Sequence, residues 1–269
     1  MNNDLSIVIT LYETPIEKLK NLEQYKNYKI FILDQSKNSN FSLIKKIIGK
    51  KFYYYHSKKN LGLSKSTNIL ISKLETKYFL FTQADIIIEN ESILNLIKII
   101  KKQNDVILAG PIFKKNNTQT YDFKNEYKYK SKLDASLLIC NTEKVREIGF
   151  FDEDFFLYWE DIDLMHRINN SNFKMVQVLN SFANHEQEKS TKNNIRITFI
   201  RRINFKYGEL IYDFKYNKLR KIKLFRQMIQ NLVFLPFNIV IFKKLKIIEN
   251  ISIIIGIIKF FNFFFFKKK

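Results

Sequence analysis

Two rhythms of apolar and polar positions alternate along the first two-thirds of the chain. Leu5–Leu11 (LSIVITL) is a short β-branched run of strand length. Thr14-Pro15-Ile16-Glu17 follows it and reads as a capping box with proline at the first helical position, so the spacing predicts a strand and then a helix. The same alternation recurs, with strands predicted over 29–33, 52–55, 78–82 and 106–109 and helices over 43–48, 64–73 and 92–102. Strands separated by helices imply a mostly parallel sheet with right-handed crossovers, in which ligands gather at the carboxyl ends of the strands. Asp34, the stretch from Asn60 to Asn68, and Asp85 all fall at such ends.

Beyond residue 110 the pattern loosens. Residues 114–132 are polar and irregular, as expected of a surface loop or hairpin over the site. A strand is predicted over 135–140, a short helix over 142–148 and a last strand over 174–179, leading to Asn184-His185. From about residue 193 the pattern is helical and basic. The domain boundary is expected near residue 215, with 1–215 forming an α/β domain and 216–269 a basic, hydrophobic helical extension.

Composition narrows the classes. At 269 residues and 46% hydrophobic content the chain can bury a sizeable core, which excludes disorder for most of its length. One cysteine, Cys140, excludes an intramolecular disulfide and a multi-thiolate zinc site. The N-terminal MNNDLSIVIT carries no basic stretch followed by a long apolar one, so no secretory signal is expected. The net charge of +20 suits a polyanionic partner, although Lys, Asn, Ile and Phe are also what AT-rich codons favour, a cause without functional meaning.

The C-terminal fifty residues differ from the rest. Residues 227–242 are uncharged but only sixteen long, short of the roughly twenty that span a bilayer. Residues 247–266 would reach about 30 Å as a helix and hold fourteen Ile and Phe. Their apolar gain on insertion, about 4–8 kcal/mol, is opposed by about 3 kcal/mol for Lys259 near the centre and by Glu249, Asn250 and Asn262. With lysines at both ends, the segment is expected to lie in the headgroup region of an anionic leaflet, a single span being the competing outcome.

The densest chemistry is FFDEDFFLYWEDIDLMHR, where residues 152–163 hold six of the 26 acidic side chains. A carboxylate pair beside aromatic surface suits a base that takes a proton from a hydroxyl. The competing account of Glu160 and Asp161 is that they start a helix, where negative charge favours the positive end of the macrodipole. Asp34 ends a strand, where an aspartate serves as a turn residue or accepts a ring N–H of uracil or thymine. Asn60-Leu61-Gly62-Leu63 places a glycine turn before a helix, which can meet phosphate or ribose through backbone N–H groups. Asp85 in Gln83-Ala84-Asp85 is placed to hold a divalent cation or simply to be a loop aspartate, and His185 to complete a metal shell or contact phosphates.

Taken in order, these pieces resemble the family-2 glycosyltransferases of the GT-A fold, and within them the rhamnosyltransferase-like branch. The resemblance runs from about Leu5 to Ser190 and rests on SIVITLYETP (6–15), LDQS (33–36), NLGLSKSTN (60–68), GFFDEDFFLYWEDIDLMHR (149–167) and NHEQEKS (184–190). It implies a GT-A, Rossmann-like, mostly parallel sheet flanked by helices, carrying the C-terminal membrane-associated extension. It further implies inverting transfer of a sugar from a UDP- or dTDP-sugar to a hydroxyl of a glycan or lipid-linked glycan acceptor, at the cytoplasmic face of the inner or plasma membrane. Tyr12, Asp34, Asn60, Gly62, Asn68 and Gln83 would bind the donor nucleotide, Asp34 through its pyrimidine. Asp85 and His185 would hold Mg2+ or Mn2+, and Asp161 would be the catalytic base with Glu160 as second candidate.

Two positions depart from the family pattern. Gln83 replaces the first carboxylate of the usual DxD, and Glu13 stands where an Asn is usual near the end of the first strand. They favour the rival reading, a non-catalytic GT-A-like module that binds anionic lipid or nucleic acid. The Glu160-Asp161 pair favours the enzyme, for which no nucleic-acid partner is expected.

Overall fold

Neighbouring residues of each central strand divide between two cores. The computed structural model describes residues 4–49, 52–114, 125–185 and 195–267. In strand β1 (Leu5–Leu11), Ile7, Ile9 and Leu11 join one core while Val8 joins the other. In β2 (Lys29–Asp34), Ile30 and Ile32 face the first core and Phe31 and Leu33 the second; β4 (Tyr78–Thr82) repeats the division with Tyr78 and Leu80 against Phe79 and Phe81. Successive side chains of a strand point to opposite faces, so runs this apolar must be covered on both, each fully buried residue contributing roughly 2 kcal/mol.

The covering helices come from the connections. On the first face lie α1 (Ile16–Leu19) with the 3-10 turn Lys20–Tyr25, α2 (Phe41–Ile48) and α4 (Asn90–Lys102), which bury Leu19, Ile44 and Leu96. On the second face α3 (Leu63–Ile71) and α5 (Thr142–Ile148) bury Leu70 and Val145, together with Leu164, Met165 and Ile168 of α6 (Glu160–Asn169). The expected capping box at Thr14 does not form: Pro15 is the residue before α1, and no side chain among the described residues caps that helix.

The sheet also contains β3 (Phe52–His56), β5 (Ile86–Ile88), β6 (Val106–Phe113), β7 (Tyr127–Tyr129), β8 (Leu137–Asn141) and β9 (Lys174–His185). Its order is β3-β2-β1-β4-β8-β6-β9-β5, with β7 added on β9. The half β3-β2-β1-β4 is parallel, as predicted. The other half is mixed: β8 runs antiparallel to β4 and β6, β9 is parallel to β6, and β5 and β7 are antiparallel to β9. Part of the expected loop, 115–124, lies outside the described residues, as do residues 186–190 of the NHEQEKS stretch and Lys268 and Lys269.

Two compact units divide the chain, residues 1–152 with 164–192 and residues 153–163 with 193–269. The division falls inside α6. The second unit contains α7 (Ile195–Lys215), α8 (Lys221–Val240) and α9 (Lys244–Lys267), so the segment 216–269 shares a unit with α7 and with the acidic stretch 153–163. Phe155, Tyr207, Leu210, Ile211, Leu224, Ile257 and Phe260 form its core. α9 packs against both α7 and α8.

Candidate active site

Four parallel strands of the first unit end at one edge, and the register sets what stands there. Leu11 is opposite Asp34, Asp34 opposite His56, and Ile9 opposite Thr82. Tyr12, Asp34, Gln83 and Asp85 therefore share the carboxyl edge of the parallel half, the expected place for a ligand in an open α/β sheet. Gln35 ties the next loop to it, its amide accepting from the Leu61 N–H and donating to the Gly62 carbonyl.

Asp34 is fully buried and its acceptor positions are filled. Oδ1 accepts the Ser36 N–H at 2.9 Å; Oδ2 accepts the Asn40 N–H at 3.0 Å, the Asn40 side-chain amide at 3.0 Å and the Tyr54 hydroxyl at 2.6 Å. Burial alone would raise its pKa, but these bonds from Tyr54, Ser36 and Asn40 outweigh it and hold the carboxyl below the ordinary aspartate range. Tyr54 is shifted the opposite way, raised by burial and by its bond to Asp34. Asp34 thus organises residues 36–40 into a fixed loop. Glu13, in the left-handed region at φ 47°, turns its carboxylate to the same loop, where Oε1 accepts the Lys37 N–H at 2.8 Å.

The glycine turn before α3 has the conformation its sequence suggests. Gly62 sits at φ 81°, where a side chain would be strained, and the Asn60 side chain accepts the Gly62 N–H at 3.0 Å. Asn68 binds protein: its amide donates to the Phe151 carbonyl at 2.8 Å and accepts the Phe151 N–H at 3.3 Å. Asn60 and Asn68 thereby both serve backbone groups of their own unit.

Asp85 presents the opposite situation to Asp34. It is fully buried, yet neither carboxylate oxygen has a hydrogen-bond partner among the described residues. Its neighbour is His185, whose Nε2 lies 3.6 Å from Oδ2 because β5 pairs with the end of β9, Ile86 opposite His185. Burial by itself would lower the His185 pKa; Asp85, with Asp134, outweighs it and raises it. His185 Nδ1 is also buried without a partner among the described residues, and the Phe113 ring packs 5.8 Å from the imidazole. Buried polar atoms are almost always satisfied, so two orphaned carboxylate oxygens beside an imidazole mark a place for a ligand. The donor set fits a divalent cation: one carboxylate plus phosphate oxygens is a common arrangement for Mg2+, and an added imidazole suits Mn2+. The described residues offer no cluster of three His, Cys, Asp or Glu, so such an ion would take its remaining ligands from substrate and water.

Glu160 and Asp161 belong to the second unit. They open α6 after Tyr158 and Trp159, which both have positive φ, 68° and 72°. Two consecutive bulky residues in the left-handed region cost on the order of 1–3 kcal/mol each and persist only where surroundings fix them. Gly208 of α7 supplies that fixation, since a Cβ there would come within 2.8 Å of the Tyr158 carbonyl oxygen and 3.0 Å of the Trp159 ring. Asp163 anchors the same turn, accepting Lys215 Nζ at 2.6 Å and the Tyr216 hydroxyl at 2.8 Å. Glu160 is buried with Oε2 unpartnered among the described residues, and burial, then the charge of Asp161, push its pKa up to about 8. It is therefore a neutral acid near pH 7, while Asp161 is only partly buried and is the more accessible carboxylate. Gly208, Tyr54 and Asn40 carry no sequence signal as site residues because each acts through a fold contact.

Residues 10–163, more than half of the chain, match the model of the glycosyl transferase family 2. The chain belongs to this family. None of the curated proteins matches it. Among solved structures, a mannosyltransferase from Pyrobaculum calidifontis in complex with GDP-Man and Mn2+ aligns at TM-score 0.57 and 12% identity over 82% of this chain and 66% of its own. S. aureus TarS 1-349 in complex with UDP-GlcNAc aligns at 0.53 and 13% over 77% and 66%. GalNAc-T7 with UDP, GalNAc and Mn2+ aligns at 0.55 and 14% over 77% and 47%. The chain thus shares their fold and spans about half to two-thirds of their length.

Proposed function

We propose that this glycosyltransferase moves a sugar, with inversion, from a nucleoside-diphosphate donor to a hydroxyl of a lipid-linked or other surface-glycan acceptor. The observation that carries the reading is the orphaned, buried Asp85 carboxylate beside His185 at the carboxyl edge of the sheet, the edge at which Asp34 also orders a loop. A pyrimidine donor, UDP- or dTDP-linked, is favoured by the resemblance read from the sequence, which also suggests rhamnose; the structural neighbours carry UDP, UDP-GlcNAc and GDP-Man.

In this reading the Gln35 and Gly62 loop receives the nucleoside, with Tyr12 and Gln83 at the same strand ends. Asp85 and His185 would hold Mg2+ or Mn2+, which when bound would supply positive charge for a diphosphate leaving group. Asp161 takes the proton of the acceptor hydroxyl as that oxygen attacks the anomeric carbon, and Glu160, neutral beside it, adds no competing negative charge. The site of action is the cytoplasmic face of a membrane, held peripherally through the C-terminal region. In support, α9 is long and apolar enough over Lys244–Phe266 to cross a bilayer.

The test is thermal unfolding with UDP-GlcNAc, dTDP-rhamnose and GDP-mannose, each with and without Mn2+, followed by mass spectrometry of products on a lipid-linked acceptor. A donor at one hundred times its Kd stabilises by about 2.7 kcal/mol, a rise of roughly 5–10 °C for a chain of this size. No shift with any donor, in either condition, overturns the reading.

A further inference from the structure

The second unit has an apolar core of its own, but its helix α8 is apolar outside and largely polar where it is buried. α8 buries only Leu224, Asn231 and Asn238, one residue every two turns, and two of the three are amides. Those amides form a ladder into α9: Asn238 donates to Asn250 at 2.9 Å, Asn250 to Asn231 at 2.8 Å, and Asn231 to the Gln227 carbonyl at 2.7 Å. Apart from half-buried Gln227, Met228 and Leu235, the rest of α8 faces outward, with large apolar side chains among its exposed positions, Phe225 63%, Val233 62%, Phe237 59% and Val240 73% exposed. α9, the more hydrophobic sequence, is the inner helix; Ile257 and Phe260 are buried, Gly256 lies against Lys206 of α7, and Lys259 turns inward to Asn204 at 2.8 Å and over the Tyr207 ring.

Water favours the reverse arrangement. A continuous apolar face of this kind marks a binding surface, and interhelical amide bonds with apolar side chains outside are what helices adopt against hydrocarbon. Charge says what covers it. Arg220, Lys221, Lys223 and Arg226 cluster at the start of α8, and Lys243, Lys244 and Lys246 occupy the turn into α9, while residues 227–242 between them are uncharged. We propose that the α8–α9 hairpin is a monotopic insertion element whose outer helix, α8, enters an anionic leaflet, with the two basic clusters meeting lipid phosphates. This deepens the membrane attachment of the proposed function and names α8, where the sequence pattern points to 247–266.

The experiment uses the full chain with Cys140→Ser and single cysteines at Phe225, Val233 or Phe237, labelled with an environment-sensitive fluorophore; Leu94→Cys on α4 is the control. Phosphatidylcholine vesicles containing phosphatidylglycerol are expected to raise and blue-shift emission at all three α8 positions and at none on α4. Combined Phe225→Ser, Val233→Ser and Phe237→Ser is expected to cut the vesicle-bound fraction about tenfold or more, with the donor-induced rise in Tm unchanged. High salt is expected to weaken binding. Vesicle-bound protein with unshifted α8 probes overturns the assignment to α8 and leaves peripheral attachment standing. Absence of vesicle binding overturns both, and lipid-free α8 shifts that follow self-association in sedimentation velocity overturn the proposal in favour of a second copy.

Discussion

Gly208 and the Tyr158 carbonyl oxygen are so close that a Cβ on the glycine would stand 2.8 Å from that oxygen. Alanine normally stabilises a helix interior by about 0.5–1 kcal/mol over glycine. Here the backbone oxygen must move, at a cost of about 1–3 kcal/mol, so the clash prevails. Gly208→Ala is expected to lower kcat sharply by disturbing the turn before Glu160, with donor affinity in the first unit retained. Steady-state kinetics beside donor titration separate the two.

Glu160 makes stability depend on pH. The unfolded carboxyl ionises near 4.5 and the folded one near 8. Between those values the unfolded chain releases a proton that the folded one keeps, so stability falls as pH rises from about 4.5 to 8 and levels off beyond. Glu160→Gln is expected to flatten this slope and to stabilise the protein by a few kcal/mol near pH 8. Denaturant unfolding at pH 5 and pH 8 measures it; equal slopes in both proteins would show that Glu160 ionises freely in the fold.

Asp161→Asn should reduce kcat by about 100-fold or more while leaving donor-induced stabilisation intact. Glu160→Gln should retain most turnover. If the two variants lose activity equally, Glu160 shares the role of base.

Asp85 is a case where function and stability oppose each other. Asp85→Asn removes a buried carboxylate with no hydrogen bond among the described residues, and at alkaline pH, where His185 is neutral and no ion pair is lost, it is expected to raise the Tm of the ligand-free protein. It should also abolish the extra stabilisation that Mn2+ gives in the presence of donor. A lower Tm without ligands would mean that the carboxylate is satisfied in solution.

Asp34→Asn should do the reverse. The new amide would meet the Asn40 donors, costing about 1–3 kcal/mol, and donor binding would weaken with the loop. The folded pKa of Asp34 lies below its unfolded value, so its contribution is present above about pH 4 and lost as pH falls through the folded pKa. The difference between variant and parent should therefore shrink in acid.

The central architecture was legible because β1, β2 and β4 are apolar on both faces and are separated by amphipathic helices. Asp34 and Asp85 were legible as strand-end residues for the same reason. β9 runs six residues past its predicted end at 179 because pairing holds its polar end, with Ala183 opposite Ile88, Asn184 opposite Ile87 and His185 opposite Ile86, while the Ser181 hydroxyl donates to the Ser92 carbonyl. β6 continues through Gly110-Pro111, which read as a terminator, and β5 is too short to show a period. The bonds that fill Asp34 come partly from Tyr54 on another strand, and the reason for Gly208 lies in a turn remote in sequence. Such contacts exist only after folding.

The left-handed pair Tyr158-Trp159 makes delivery of the acidic residues depend on helices that contribute no candidate acid or base. A chain shortened before α7 would keep the strand edge that is proposed to receive the nucleotide but lose the buttress of the kink. Catalysis is then expected to disappear at a truncation that donor binding survives, because the helix that holds the kink before Glu160 is gone.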